Sequence, residues 1–436
     1  MSEKTGTILD YLGHSAEAAD AADGKPAFKE GTESEHERGI YYRAPWEPVA
    51  DGFAEHSRRS ARALSLTGVP IHLRSYFQRI HTGEDSDEFR KIEEQLRPLI
   101  RASISRPWVE IYQLVPTDQN LHRHTSMSAD QTRFMKQEAF DRVNQARILY
   151  TVWERDPVPR GSIDALKRVG QCWTACRANR DMLERAGVPA SKLRVVPIPH
   201  FPDDPHLALV GRQRRPGTVR FYHIGKWEPR KAQDKLIAAF LSAFRPGQAQ
   251  LVLKTSELRK PIDGYPQNPV EAIKQACLLP QVRANGWTFL NWRAGIKLFT
   301  ARLPAATLVS MHDFGDVYVT LSRGEGFDMP AYDAKLAGNL MIYTPSGGPQ
   351  DFAGEKDVRV EPTGTVPCHP LYGWNPDARY LDFELEAARA AMWEAFRRVK
   401  DHDRRPDVDL ARFRAEAVGR DMLRFVEELV GERLAL

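Results

Sequence analysis

Residues 317–352 read VYVTLSRGEGFDMPAYDAKLAGNLMIYTPSGGPQDF, and the order of local signals in this stretch decides the fold class. VYVTLS is a short apolar, β-branched run bounded by turn residues, the pattern of a buried strand. RGEGFDMP is a glycine-rich loop, AYDAKLA a helix-forming run stopped by Gly338, and LMIYT a second apolar strand entering the loop SGGPQDF. Strand, glycine loop, helix is the layout that sets backbone N–H groups and the positive end of a helix beside an anion. Two acids flank that loop, Glu325 and Asp333, eight residues apart. Eight helical steps return to within about 80° of the start, which predicts both carboxylates on one side. Carboxylates are poor phosphate ligands and good acceptors for sugar hydroxyls. The pattern asks for a ligand that carries both phosphate and sugar.

Outward from this stretch, strand-like and helix-like segments alternate. GIYYRAPW (39–46), VPIHLRSY, WVEIYQLV, ARILYTVW, QCWTAC and KLRVVPIP read as strands, as do VRFYHIG and LVLKTS further on. Such alternation predicts parallel sheets covered by helices on both faces, an α/β fold. The proline-rich stretch 197–217, PIPHFPDDPHLALVGRQRRPG, reads as an interdomain linker. The expected organisation is a polar tail over 1–38, a first domain over 39–205, a second over 206–395, and C-terminal helices over 396–436. Among these last residues and just before them, DFELEAARAAMWEAFRRV and DLARFRAEAVGRDMLRFVEELVGERL read as two amphipathic helices.

At 436 residues the chain is long enough for two full cores, and 42% hydrophobic with 28% charged residues is a globular balance. No run approaches the ~20 apolar residues of a membrane span. The N-terminal 25 residues lack a signal-peptide apolar core, which predicts a cytoplasmic protein. Four cysteines suit a reduced compartment. Cys172 and Cys176 lie four apart, but no second Cys or His pair completes a metal set, so they read as small buried hydrophobes. The net charge of +4 suits an anionic ligand without demanding nucleic acid.

A second constellation lies in FYHIGKWEPRKAQDKLIAAF (221–240): strand, glycine turn, basic loop, helix. Lys226, Arg230 and Lys231 follow Gly225 just outside the strand's carboxyl end, where open α/β sheets bind ligands. Most Lys/Arg clusters are solvated loops; this one gains meaning from the acids about 90 residues later.

The stretch 325–333 resembles the donor-site signature of the retaining glycosyltransferases of family 4, an acid, a glycine-aromatic-glycine loop and a second acid after seven intervening residues. Here these are Glu325, the loop Gly326-Phe327-Asp328, and Asp333. Two departures stand out. Asp333 replaces a Glu, and Asp328 stands where a glycine brings a bare amide to the donor. A carboxylate at 328 would repel phosphate and is expected to face a sugar hydroxyl. The resemblance extends to 221–240, where Lys226 and Lys231 fall on a basic pair and Glu228 on an acid of the same loop. It extends also to 149–200, where Trp153 and Glu154 end a strand facing the interdomain cleft. Trp153 reads equally as core and Glu154 as a surface acid.

The resemblance implies two Rossmann-like domains facing across a cleft (the GT-B architecture), with the last helices crossing back to the first domain. It implies metal-independent transfer of a sugar from a nucleotide-diphosphate sugar to an acceptor hydroxyl, with retention of configuration and no separate cofactor. Lys226, Lys231 and Arg230 would meet the diphosphate, Glu325 the sugar, Asp333 the ribose, and Glu154 the sugar or acceptor. Gly225, Gly326, Phe327, Asp328, Met329, Asp51 and Gly52 would line the donor site. The acceptor could be a glycan, a lipid, a small molecule or hydroxymethylated DNA, the last suggested only by Arg58, Arg59, Arg62, Arg101 and Arg106. Such arginines are usually a charged helix face. The same fold could also serve a nucleotide-sugar epimerase or a non-catalytic binder. His122 and His124 in HRHTS read as solvated or acceptor-side residues, and His200 as structural.

Overall fold

The computed structural model describes residues 34–46, 52–75, 87–116, 144–201, 217–258, 261–301, 303, 305–369, 377–399 and 411–434. In the first sheet lie β1 (Ser34–Arg43), β2 (Ile71–Arg74), β3 (Ala102–Gln113), β4 (Asn144–Thr151), β5 (Val169–Thr174) and β6 (Leu193–Val195). Their order is β2-β1-β3-β4-β5-β6, every pairing parallel. The second sheet holds β7 (Val219–Ile224), β8 (Ala249–Lys254), β9 (Ile296–Phe299), β10 (Val317–Thr320), β11 (Leu340–Tyr343) and β12 (Val358–Arg359). It is also wholly parallel, in the order β12-β11-β10-β7-β8-β9. Helices cover both, giving two Rossmann-like domains.

The strands are apolar throughout because both faces are covered: every residue of β5 and of β10 is buried. In the second sheet the strand order reverses between β7 and β10. Loops leaving the carboxyl ends of two such strands diverge and open a crevice, the usual ligand position in doubly wound sheets. That crevice begins at Gly225 and at Leu321, the two loops singled out in the sequence.

Four helices flank that crevice: α1 (Gly52–Ser65), α2 (Arg177–Arg185), α3 (Gln233–Ala243) and α4 (Met329–Leu336). Pro330 sits in the first turn of α4, where a missing N–H costs nothing, and Gly338, at φ +74°, ends the run after Ala337.

The structure departs from the sequence expectation in several places. Strand β1 starts at Ser34, inside the stretch read as a tail. β9, β12 and an antiparallel pair, β13 (Gly364–Pro367) with β14 (Arg379–Asp382), carry too few residues or too mixed a pattern to announce themselves. The two C-terminal helices also part company. α5 (Leu385–Arg398) spans the expected boundary at 395 and stays on the second core, with Trp393 and Phe396 against Phe244. Only α6 (Ala415–Val430) crosses back, placing Val418, Met422, Phe425 and Val426 in the first-domain core. Gly419 lets it approach so closely that a Cβ would collide with the Ala63 carbonyl of α1. Gln171 Nε2 then donates to the Phe425 carbonyl at 2.8 Å.

Candidate functional site

The loops after β7 and β10 are stitched together by hydrogen bonds to backbone, from a backbone N–H and from a side chain. Arg323 N donates to the Arg230 carbonyl (2.7 Å), and Arg230 Nη1 donates to the Gly324 carbonyl (2.6 Å). Gly225 is glycine for a local reason: a Cβ there would stand 2.7 Å from His223 Nε2. His223 Nδ1 lies 2.7 Å from the Val319 carbonyl, which can only accept, so Nδ1 carries the proton. Burial, and then Lys231, push the imidazole down to about 4, so it is neutral at pH 7.

This stitching brings the partly covered Lys231 onto the buried Glu325, Nζ to Oε1 2.5 Å, and Arg230 Nη1 reaches Glu325 Oε2 at 3.1 Å. Arg230 also meets Glu228 at 2.6 Å and, across the domain boundary, Glu154 at 3.3 Å. Burial alone would raise the Glu325 carboxyl, but Lys231 and Arg230 outweigh it and hold it at about 2. The Lys231 ammonium is in turn raised, Glu325 overcoming burial. Glu154 moves the other way: burial, together with Glu325 and Glu228, raises it against the pull of Arg230.

Asp328 occupies the left-handed region (φ +67°) at the start of α4, a conformation that Asp tolerates better than most residues. Thr320 Oγ1 donates to its Oδ2 at 2.5 Å, while its buried Oδ1 has no hydrogen-bond partner. Burial first, then the charge of Glu325, push this carboxyl up to about 6.

One expectation needs correction. Glu325 and Asp333 do not share a helix face, because α4 begins only at Met329 and Glu325 lies in the loop before it. Asp333 instead meets Arg59 Nη1 of α1 at 3.2 Å, across the domain boundary. The ring of Phe327 packs among Tyr332, Phe352 and Phe413, so only its backbone is left to face a ligand. Lys226 is exposed, whereas Lys231 is largely covered, with 11% of its side chain exposed. Met329 is buried, with its sulfur 4.0 Å from where a Cβ on Gly52 would stand, so the starts of α1 and α4 face one another. Asp51, His122 and His124 lie outside the described residues.

Tight glycine packing fixes the loop 324–328. A Cβ on Gly324 would collide with the Glu154 carbonyl, and on Gly326 with Val152, both in the first domain. On Gly347 or Gly348 it would collide with the backbone of Glu325 or Phe327. Cys176 Sγ donates to the Gly326 carbonyl at 3.1 Å, and Asn179 Nδ2 to the Glu325 carbonyl at 3.4 Å. Trp153 is core, as its apolar reading had it, with its backbone N–H donating to Asn179 Oδ1. His200 is backbone-paired to Phe413 and Ala415.

Sequence reasoning missed Arg59, counted among the arginines of a charged helix face. It is 4% exposed and joins Glu55 (2.7 Å) to Asp333. The only signal was its spacing from Glu55. Its neighbours are also engaged internally: Arg58 with Glu55 and the Trp46 carbonyl, Arg62 over the ring of Phe201. Among the described residues, no group of three or more His, Cys, Asp and Glu side chains is placed to hold a metal ion.

No protein-family model matches the sequence, and no curated protein sequence does. Solved structures do match. A sucrose-phosphate synthase from Thermosynechococcus elongatus superposes with a TM-score of 0.55 at 14% identity, over 91% of this chain and 100% of the other. The E. coli trehalose-6-phosphate structure with bound UDP-2-fluoro glucose gives 0.55 at 10% identity, over 90% and 99%. Anabaena HepE in complex with UDP and glucose gives 0.52 at 10% identity, over 90% and 100%. These neighbours share the arrangement of sheets and helices found in this chain, which has the GT-B fold, two Rossmann-like domains facing one another across a cleft.

Proposed function

We propose that the protein is a glycosyltransferase that moves a sugar from a nucleotide-diphosphate sugar to an acceptor hydroxyl, with retention of configuration and without a metal ion. The observation that carries this reading is the convergence, at the strand-order reversal, of Lys231 and Arg230 with Glu325 and Asp328, opposite Glu154 of the first domain. A sugar diphosphate needs cations at its leaving group and acceptors at its hydroxyls, and this cluster offers both within one buried loop pair.

In the proposed reaction the acceptor hydroxyl attacks the anomeric carbon on the face from which the diphosphate departs. The new C–O bond forms as the bond to phosphate breaks, and a leaving phosphate oxygen takes the acceptor's proton. Lys231 stabilises the growing phosphate charge, a task that buried, preorganised cations perform well. Arg230 holds Glu325 against the sugar hydroxyls, and Asp333, positioned by Arg59, faces the ribose. Lys226 has the weaker part, because an exposed lysine acts through water. Asp328 faces a sugar hydroxyl with its open Oδ1. The neighbours' bound UDP and glucose make a uridine-diphosphate hexose the first donor to try. Among the described residues no helix is long and apolar enough to cross a membrane; we place the enzyme in the cytoplasm, where such donors are found.

The test is a thermal-shift screen against nucleoside diphosphates and their sugars, followed by NMR of the product. Stabilisation by a sugar nucleotide, transfer in the presence of a chelator and an unchanged anomeric configuration are expected. Inversion, or metal dependence, would overturn the mechanism; binding without transfer to any hydroxyl would return the protein to the binder or epimerase class.

A further inference from the structure

The turn before β9 carries a feature that the sugar site does not use. Leu290 is 94% exposed and Phe289 41%, side by side at the tip of Thr288–Asn291. Single exposed apolar residues are common and mean little. This pair differs in being rigidly held. Trp287 and Trp292 on either side are buried, and Trp287 Nε1 donates to the Phe244 carbonyl. Asn291 Oδ1 accepts from Thr288 N (2.8 Å) and its Nδ2 donates to the Gly286 carbonyl (2.9 Å), closing the turn. The tip is held out into solvent.

Along the chain, the segments that flank it carry one sign of charge. From Ala272 to His312 the chain has no Asp or Glu but has Lys274, Arg283, Arg293, Arg302 and Lys297. Lys274, Arg283, Arg293 and Lys297 are exposed. Asn285, just before the turn, also borders a concavity of about 640 Å³ whose charged lining residues are Arg245 and Arg389, the latter held by Glu386. The turn lies on the amino side of β9, the opposite end of the sheet from the crevice at Gly225 and Leu321.

We propose that this end of the second domain docks on an anionic lipid bilayer, Phe289 and Leu290 entering the interface while Arg283, Arg293 and their neighbours meet lipid phosphates. A two-residue apolar tip flanked in the chain by exposed cations is enough for a bilayer, where buried apolar surface and charge attraction add. It is far short of the ~800 Å² per partner of a stable protein interface. A second copy would bring like charges together, and a nucleic-acid duplex offers Leu290 no apolar phase. The crevice at the other end of the sheet would face away from the membrane, open to a soluble acceptor.

The experiment is co-sedimentation of the full chain with vesicles of phosphatidylcholine alone and of phosphatidylcholine with phosphatidylserine. Binding is expected only to the anionic vesicles, falling as salt rises. L290E should weaken it about tenfold or more, and so should R283E combined with R293E, with donor binding unchanged in both. L290S, a milder change at an exposed site, should give an intermediate loss. Equal binding to neutral vesicles, no binding at low salt, or unaltered binding by L290E would overturn the proposal. So would a concentration-dependent dimer in sedimentation that L290E disperses, since the tip would then belong to a second copy.

Discussion

The two ends of the loop 325–328 place two carboxylates three residues apart and treat them in opposite ways. Glu325 is buried against Lys231 and Arg230 and stays ionised down to about 2. Asp328 is as deeply placed, with Thr320 as its donor and Glu325 as a like-charged neighbour, and holds its proton up to about 6. Both carry the same functional group. Geometry of partners separates them, so one acts as a permanent anion and the other as a group that gains or loses a proton near neutrality. In the proposed reaction that difference divides the labour: Glu325 is a fixed acceptor, and Asp328 adjusts its charge when a diphosphate enters.

The sharpest way to break this comparison is Glu325→Gln. Removing the buried member of this ion pair leaves Lys231 with only the weaker pull of Asp328 and Glu228, a loss of up to about 3–5 kcal/mol. Turnover should fall by about 10²-fold or more through loss of the sugar contact. Urea unfolding and steady-state kinetics would check both, and near-normal values in either would remove Glu325 from its assigned role.

Lys231→Ala should follow, cutting turnover about 10²-fold. Lys231 lowers both acids, so in its absence both carboxyls should rise. Carboxylate titration by NMR or infrared difference spectra would read this, and an Asp328 that stayed near 6 would mean that the lysine does not couple the two.

Asp328→Asn sharpens the contrast through stability. The Asp328 carboxyl is raised from 3.8 to about 6, so its protonated form is favoured in the fold. Its contribution is fully present below about 3.8 and is lost as pH rises through about 6. Asn mimics the protonated acid and tolerates the left-handed backbone. The variant should therefore match the parent near pH 4 and exceed it increasingly up to pH 7–8, by at most about 3 kcal/mol for a two-unit shift. Parallel unfolding curves across that range would show it, and a difference independent of pH would mean that Asp328 does not titrate there.

Lys226→Ala should do least. The side chain is exposed, and exposed charges contribute about 0.2–1 kcal/mol, so turnover should change about fivefold or less. A loss equal to that of Lys231→Ala would restore Lys226 to an equal place at the diphosphate.

Much of this molecule was legible in its sequence. Apolar runs such as VYVTLS and LMIYT, glycine punctuation and alternation with helices predict parallel sheets because local sterics and two-sided burial act residue by residue. The loops 225–231 and 324–328 announced themselves by glycine next to charge. Other features depended on which residues the fold brings together. Arg59 looked like one more arginine on a helix face until α1 met Asp333; Arg230 and Lys226, alike in sequence, separated into the hub of an ion-pair network and a surface charge. Whether α5 or α6 crossed the boundary was settled by the Gly419–Ala63 approach, not by amphipathicity, which both share. Sequence determines what each residue can do within a few bonds of itself. The charge state of Glu325 and Asp328 is set by partners about 90 residues distant or by burial, and such electrostatics exist only once the sheets have formed and excluded water.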